Sequence, residues 1–170
     1  MSPTRITHLI NGAPWEGTAE RTSPVYNPAT GEQTGALDLA SAALVDEVVR
    51  AARTAWQNDW QTSSLTKRTQ VLFKFRELLN ANKEEIAAVI TAEHGKVLSD
   101  ALGEVTRGLE VAEFACGIPH LLKGGFSENV STQVDAYSIL QPLGVVGVIS
   151  PFNFPAMVPM WFVPIAIACG

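Results

Sequence analysis

No Asp, Glu, Lys or Arg occurs between Ala136 and Gly170, a run of 35 residues at the end of a 170-residue chain. Every charged side chain lies at or before Asp135. Few architectures accommodate such a run. One is a membrane-spanning helix, which needs roughly 20 consecutive apolar residues. Pro151, Pro155, Pro159 and Pro164, together with Ser150 and Asn153, would break that helix repeatedly. The other is a strand and helix buried on all sides in an α/β domain, where central strands lose their polar face. The second reading accounts for the prolines, and no membrane partner is expected. It needs covering layers, yet the chain ends on "AIACG", inside an apolar helical pattern and without a cap. The expectation is therefore the N-terminal part of a longer protein.

Charge and cysteine content narrow the function classes. A formal net charge of -5 and the lack of basic runs argue against a nucleic-acid partner. Cys116 and Cys169 make neither a disulfide framework nor a metal site, and His8, His94 and His120 have no ligand spacing, so no metal is expected. The opening "MSPTRITHLI" has neither a signal peptide's charged-then-apolar order nor a transit peptide's Arg- and Ser-rich character, which predicts a cytoplasmic location.

Along the chain, "ITHLINGAPW" reads as a strand, an Asn11-Gly12 hairpin turn and a short return strand. Asn27-Pro28 and Thr30-Gly31 mark a turn between two extended pieces. A first helix starts near Ser41, with Val45, Val48, Val49, Ala52 and Trp56 on one face. A second runs from about Ser64 to Asn82, with Val71, Leu72, Phe75, Leu78 and Leu79 inward. A third, near Lys83 to His94, carries Ile86, Val89 and Ile90 and stops at Gly95. In the fourth, Leu98, Leu102, Val105, Leu109, Ala112 and Cys116 form a seam against other helices, which makes Cys116 a core residue. After Gly124-Gly125 a strand is expected from about Thr132 to Gln141, and "GVVGVIS" is a short, fully apolar strand. Phe154 to Ala168 then reads as a helix interrupted by prolines. Helices followed by an apolar strand, turn and helix predict an α/β fold with a partly parallel sheet.

The turn itself is unusual. Ser150-Pro151-Phe152-Asn153-Phe154-Pro155 sets one asparagine between two phenylalanines and two prolines, at the carboxyl end of a strand, where open α/β sheets bind ligands. Each proline pushes its predecessor out of the α region, so the segment is held as a rigid irregular turn. An asparagine there can present its amide NH2 to an oxyanion. Alternatively, the amide satisfies the turn's own backbone, as asparagine often does. The G-x-G-x-x-G fingerprint is missing, so a standard pyrophosphate cradle is not indicated.

"PFNFP" after "GVVGVIS" resembles the aldehyde dehydrogenase superfamily, in which a strand leads into a P-[WF]-N-F-P turn. "NPATGE" at Asn27 to Glu32 and "EHGK" at Glu93 to Lys96 agree with it. The longer form "PFNFPAMVPMWFVPIAIACG" resembles the methylmalonate-semialdehyde dehydrogenase branch, with its extra prolines. The resemblance spans the whole chain, and the chain spans only the first part of the family's length. It implies an α/β fold: residues 1–125 as hairpin and helices of the NAD-binding domain, 126–142 as an oligomerisation strand, and 143–170 as the first strand, turn and helix of a Rossmann-like core.

The resemblance also implies the chemistry. A cysteine thiolate attacks an aldehyde, hydride passes to NAD, and the resulting thioester is handed to coenzyme A. Asn153 becomes the oxyanion donor, and Ser150 and Phe152 line the NAD site. Phe154, with Val158 and Trp161 at helical spacing, lines an aldehyde tunnel or packs in the core. The small-molecule semialdehyde carries a far carboxylate, which suits an arginine fork. Arg107 faces away from the seam and is either that arginine or an ordinary solvated one. The family's nucleophile lies beyond the residues covered here, so the chain alone is expected to be inactive. A homo-oligomer, dimer or tetramer, is expected of the full-length protein. Two other readings remain open: a general NAD(P)-dependent aldehyde dehydrogenase releasing free acid, and a non-catalytic fragment that pairs with dehydrogenase subunits.

Overall fold

The computed structural model describes residues 3–170, a mixed arrangement of helix and sheet. Five strands open it: β1 Thr4–Ile6, β2 Leu9–Ile10, β3 Ala13–Pro14, β4 Arg21–Tyr26 and β5 Gln33–Leu39. The Asn11-Gly12 turn joins β2 to β3 as expected, and both residues take positive φ, 53° and 78°, as a two-residue hairpin of the primed kind requires. The Asn27 turn joins β4 to β5, its side-chain oxygen accepting from the Ala29 N–H at 2.8 Å. One pairing has no local signal. β1 runs parallel to β5, giving a three-stranded sheet ordered β1-β5-β4. Buried Asp38 on β5 meets Arg5 on β1 at 2.6 Å, and that hydrogen-bonded guanidinium holds the carboxyl below its ordinary range.

Four helices follow: α1 Ala42–Asn58, α2 Leu65–Ala81, α3 Lys83–His94 and α4 Leu98–Cys116. Their starts and stops are written locally. The Ser41 and Ser64 hydroxyls accept from Leu44 and Lys67 N–H groups, and Gly95 closes α3 in the left-handed conformation. A short helix α5, Ile118–Leu121, leads to a hairpin of β6 Phe126–Ser131 and β7 Val134–Tyr137, and α6 Met157–Cys169 ends the chain. The core lies where α4 packs between α2, α3 and α6. Leu79, Ile90, Ala101, Val105, Leu109, Ala112 and Met160 form its main cluster.

Several expectations are corrected. Val45, Val48 and Val49 on α1 are exposed, because among the described residues α1 packs mainly against the short turn Trp60–Thr62. Val71, Phe75 and Leu78 on α2 and Val89 on α3 are exposed too, since α4 covers only one side of each helix. The strand expected over Thr132 to Gln141 is instead two strands that begin earlier, at Phe126, and turn at Gln133, whose φ is 58°. Gly144 to Ser150 forms no ladder, and Val146 and Ile149 stand exposed. A strand needs a neighbour to pair with, and none of the described strands lies beside it. The last helix begins at Met157 rather than Phe154, because Pro155 keeps Phe154 out of the helical region.

Both ends of α6 are tied down. At its C-terminal end, Trp56 and Trp60 donate their indole N–H groups to the Gly170 and Ile167 oxygens at 2.6 and 2.9 Å, and buried Arg68 donates to the Cys169 oxygen at 3.1 Å. Those carbonyls belong to the turn that a helix leaves unpaired, at the negative end of its dipole. At its N-terminal end the partner is Glu104.

Candidate functional site

Glu104 is a carboxylate placed where the seam of α4 meets α6, and it is fully buried. Its Oε1 accepts from the Ala156 and Met157 N–H groups at 2.8 and 3.1 Å, satisfying first-turn donors of α6. Its Oε2 accepts from Lys96 Nζ at 2.6 Å. Burial pushes this carboxyl up, but the Lys96 ammonium and the two backbone donors outweigh it and hold the group below its ordinary value.

Lys96 follows the Gly95 stop in the link between α3 and α4. Its ammonium also donates to the backbone oxygen of Asn153 at 2.8 Å and lies 4.4 Å from the centroid of the Phe154 ring. The chain is therefore held on both sides of Phe154 and Pro155, by Lys96 from the α3–α4 link before them and by Glu104 from α4 after them.

Above this contact lies a cleft of about 520 Å³, lined by Lys96, Ser99, Asp100, Gly103, Arg107, Asn153 and Phe154. Ser99, Gly103 and Arg107 are spaced by four and share one stripe of α4. A side chain built at Gly103 would meet no atom within 4 Å, so this glycine leaves the cleft wall open. One turn along, a Cβ at Gly108 would come within 2.7 Å of Met160, so Gly108 sets the close approach of α4 and α6. Arg107 is exposed and makes no ion pair among the described residues.

The structure thus brings Arg107, Asn153 and Phe154 into one cleft. The Asn153 side chain makes no hydrogen bond among the described residues, so its amide is not spent on the turn's backbone. Ser150 and Phe152 lie outside the cleft. Phe152 is 87% exposed and Ser150 half-buried. Beside the unpaired Val146–Ile149 segment a second hollow, about 400 Å³, is walled by Phe162, Ile165 and Ala166. Val158 is buried and Trp161 exposed, so these two do not continue the cleft. Cys116 is a core thiol. Burial raises its pKa, Glu113 adds to the rise, and its Sγ–H points to the Ala112 oxygen at 3.3 Å. Among the described residues no cluster of His, Cys, Asp or Glu could hold a metal, and no helix is long and apolar enough to cross a membrane.

Sequence reasoning missed Lys96, Ser99, Asp100, Gly103 and Glu104 as members of this site. Glu104 carried a signal: it stands three residues after Ala101 and four before Gly108, on the face that packs inward. A lone carboxylate on such a face has to find donors.

A family model described as "Aldehyde dehydrogenase family" matches residues 15–170. The malonate-semialdehyde dehydrogenase of Pseudomonas aeruginosa is 48% identical over 97% of this chain and 33% of its own length. The acylating, mitochondrial methylmalonate-semialdehyde dehydrogenase of Arabidopsis thaliana is 43% identical over 99% of this chain and 28% of its own. A crystal structure from Sinorhizobium meliloti, described as a putative methylmalonate-semialdehyde dehydrogenase complexed with NAD, superposes with a TM-score of 0.93 at 45% identity, covering 99% of this chain and 34% of that one. The chain spans about a third of the length of the relatives it matches.

Proposed function

The chain belongs to the aldehyde dehydrogenase family, and from that premise we propose that it is the N-terminal part of an NAD-dependent, CoA-acylating (methyl)malonate-semialdehyde dehydrogenase. The observation that carries the proposal is the pairing of Arg107 and Asn153 in one cleft, with the Asn153 amide free of hydrogen bonds. A semialdehyde is charged at one end and reactive at the other. Arg107 receives the carboxylate through its planar fork. The Asn153 NH2 donates to the aldehyde oxygen as it gains negative charge. Phe154 gives the cleft an apolar wall.

The nucleophile is a cysteine outside this chain. Cys116 is buried with a raised pKa, the opposite of an activated thiol. The isolated chain is accordingly assigned no dehydrogenase activity. NAD, when bound, supplies the hydride acceptor. The residues present fit one edge of its site, where Phe152 offers an exposed ring face. Ser150 and Phe152 would hold it there. Coenzyme A then takes the acyl group.

In the same reading, residues 1–125 are hairpin and helices of the NAD-binding domain, 143–170 begin its Rossmann-like core, and 126–142 pair subunits of a cytoplasmic homo-oligomer. The exposed Phe126 and Tyr137 of the β6–β7 hairpin support that last assignment.

The test is turnover by the complete enzyme with malonate semialdehyde and NAD, with and without coenzyme A. CoA-dependent NAD reduction with an acyl-CoA product is expected. An equal rate without coenzyme A, yielding free acid, would replace the acylating assignment with a general aldehyde dehydrogenase. No NAD reduction with any aldehyde would remove the enzyme reading and favour a fragment that pairs with dehydrogenase subunits.

A further inference from the structure

The Ser150–Pro155 turn has little backbone hydrogen bonding of its own. Pro151 and Pro155 carry no N–H, and the backbone bond recorded from the turn is the Val158 N–H to the Phe154 oxygen, at 3.4 Å. Something else has to fix it. The contacts that do so come from outside: Lys96 to the Asn153 oxygen, and Glu104 to the Ala156 and Met157 N–H groups. These attachment points bracket Phe154 and Pro155. They belong to one ion pair, whose side chains are 12% and 0% exposed.

A buried ion pair is weak evidence for stability alone, because desolvating two charges offsets much of their attraction. An apolar pair of similar volume would fill the same space. It would offer nothing to the Asn153 carbonyl or to the α6 amides. The carboxylate here uses both oxygens and the ammonium bridges two acceptors, so the pair is geometrically committed. We infer that Lys96, clamped by Glu104, is a positioning residue for Asn153: it holds the backbone carbonyl of Asn153 so that the amide side chain stands at a fixed place in the cleft. This rests on the assignment of Asn153 as oxyanion donor. Lys96 lines the cleft, but its ammonium is engaged by Glu104 and the Asn153 oxygen, so it acts through Asn153.

A double-mutant cycle in the complete enzyme tests it. Wild type, Lys96→Met, Asn153→Ala and the double variant are compared for kcat, for KM of the semialdehyde and for NAD affinity. Lys96→Met is expected to lower kcat by about 10²-fold, as a displaced reacting group does. KM and NAD affinity are expected to change by less than about twofold, because the lost contact acts in the transition state. In the Asn153→Ala background the same change is expected to lower kcat by less than about threefold, because the residue being positioned is gone. Lys96→Arg, which keeps the cation, is expected to recover part of the loss. Should Lys96→Met fail to fold, Glu104→Gln takes its place in the cycle. It keeps an acceptor for the α6 amides while loosening the lysine, and the same non-additivity is expected.

A folded Lys96→Met enzyme with wild-type kcat overturns the inference. So does an equal loss in both backgrounds, which would mean that Lys96 acts independently of Asn153. The two failures are separable: if Asn153→Ala itself keeps kcat, the oxyanion assignment falls. If Asn153→Ala is crippled while Lys96→Met is not, only the positioning role falls.

Discussion

Lys96 Nζ lies 2.8 Å from the backbone oxygen of Asn153, across 57 positions of sequence. That contact joins the link before α4 to the turn before α6, and the cleft lies between them. The shape of the site follows from one buried carboxylate, one lysine and two prolines.

The carboxylate is the first place to test. Glu104→Leu leaves the Ala156 and Met157 amides and the Lys96 ammonium without their acceptor. Removing one partner of a buried pair costs about 3–5 kcal/mol. Chemical denaturation should show a loss of that order. A change under about 1 kcal/mol would mean that water replaces the carboxylate freely.

Acid should act through the same group. The folded-state pKa of Glu104 lies below its ordinary 4.5. Its contribution is therefore full above 4.5 and lost as the pH falls through that value and on through the folded-state value. Asp38 contributes with the same sign. Thermal melts of wild type and Glu104→Gln isolate Glu104: the gap between them should be widest near neutrality and shrink as acid protonates the wild-type carboxyl. A gap independent of pH would contradict the ionised state.

Two glycines on α4 should respond in opposite senses. Gly103 faces open space, so Gly103→Ala should stabilise by about 0.5–1 kcal/mol through helix propensity. Gly108 abuts Met160, which is itself buried, and Gly108→Val should cost about 1–3 kcal/mol by overpacking. Denaturation midpoints of the two variants read this directly, and shifts of the same sign would show that the α4–α6 packing is misjudged.

Arg107→Gln in the complete enzyme should raise KM for a carboxylated semialdehyde by about tenfold or more, given about 1.5–3 kcal/mol for a hydrogen bond to a charged group. KM for an uncharged aldehyde of similar length should stay within about twofold. Equal effects on both substrates would make Arg107 an ordinary surface residue.

How much of this was legible depends on the range of the interactions. The caps at Ser41, Ser64 and Gly95 and the Asn11-Gly12 turn are local chemistry, and the sequence located them to within a residue or two. The parallel pairing of β1 with β5 has no local mark, because only the folded sheet brings Thr4 opposite Gly35. The apolar faces of α1 and α2 were legible as faces, but not what covers them. Gly144–Ser150 has strand-like residues and no strand beside it, so composition alone overstated its order. In the cleft, Asn153 and Arg107 stood out by type and context. Lys96 and Glu104 did not, because each acts through a partner distant in sequence.

The proposed chemistry turns on the Asn153 amide, and the most direct measurement is kcat of Asn153→Ala against wild type in the complete enzyme, with folding checked by thermal melt. Loss of one oxyanion donor predicts a fall of about 10²- to 10³-fold in a protein that melts normally. A folded variant within about threefold of wild type would contradict it, and Asn153 would then be a turn residue with no part in the chemistry.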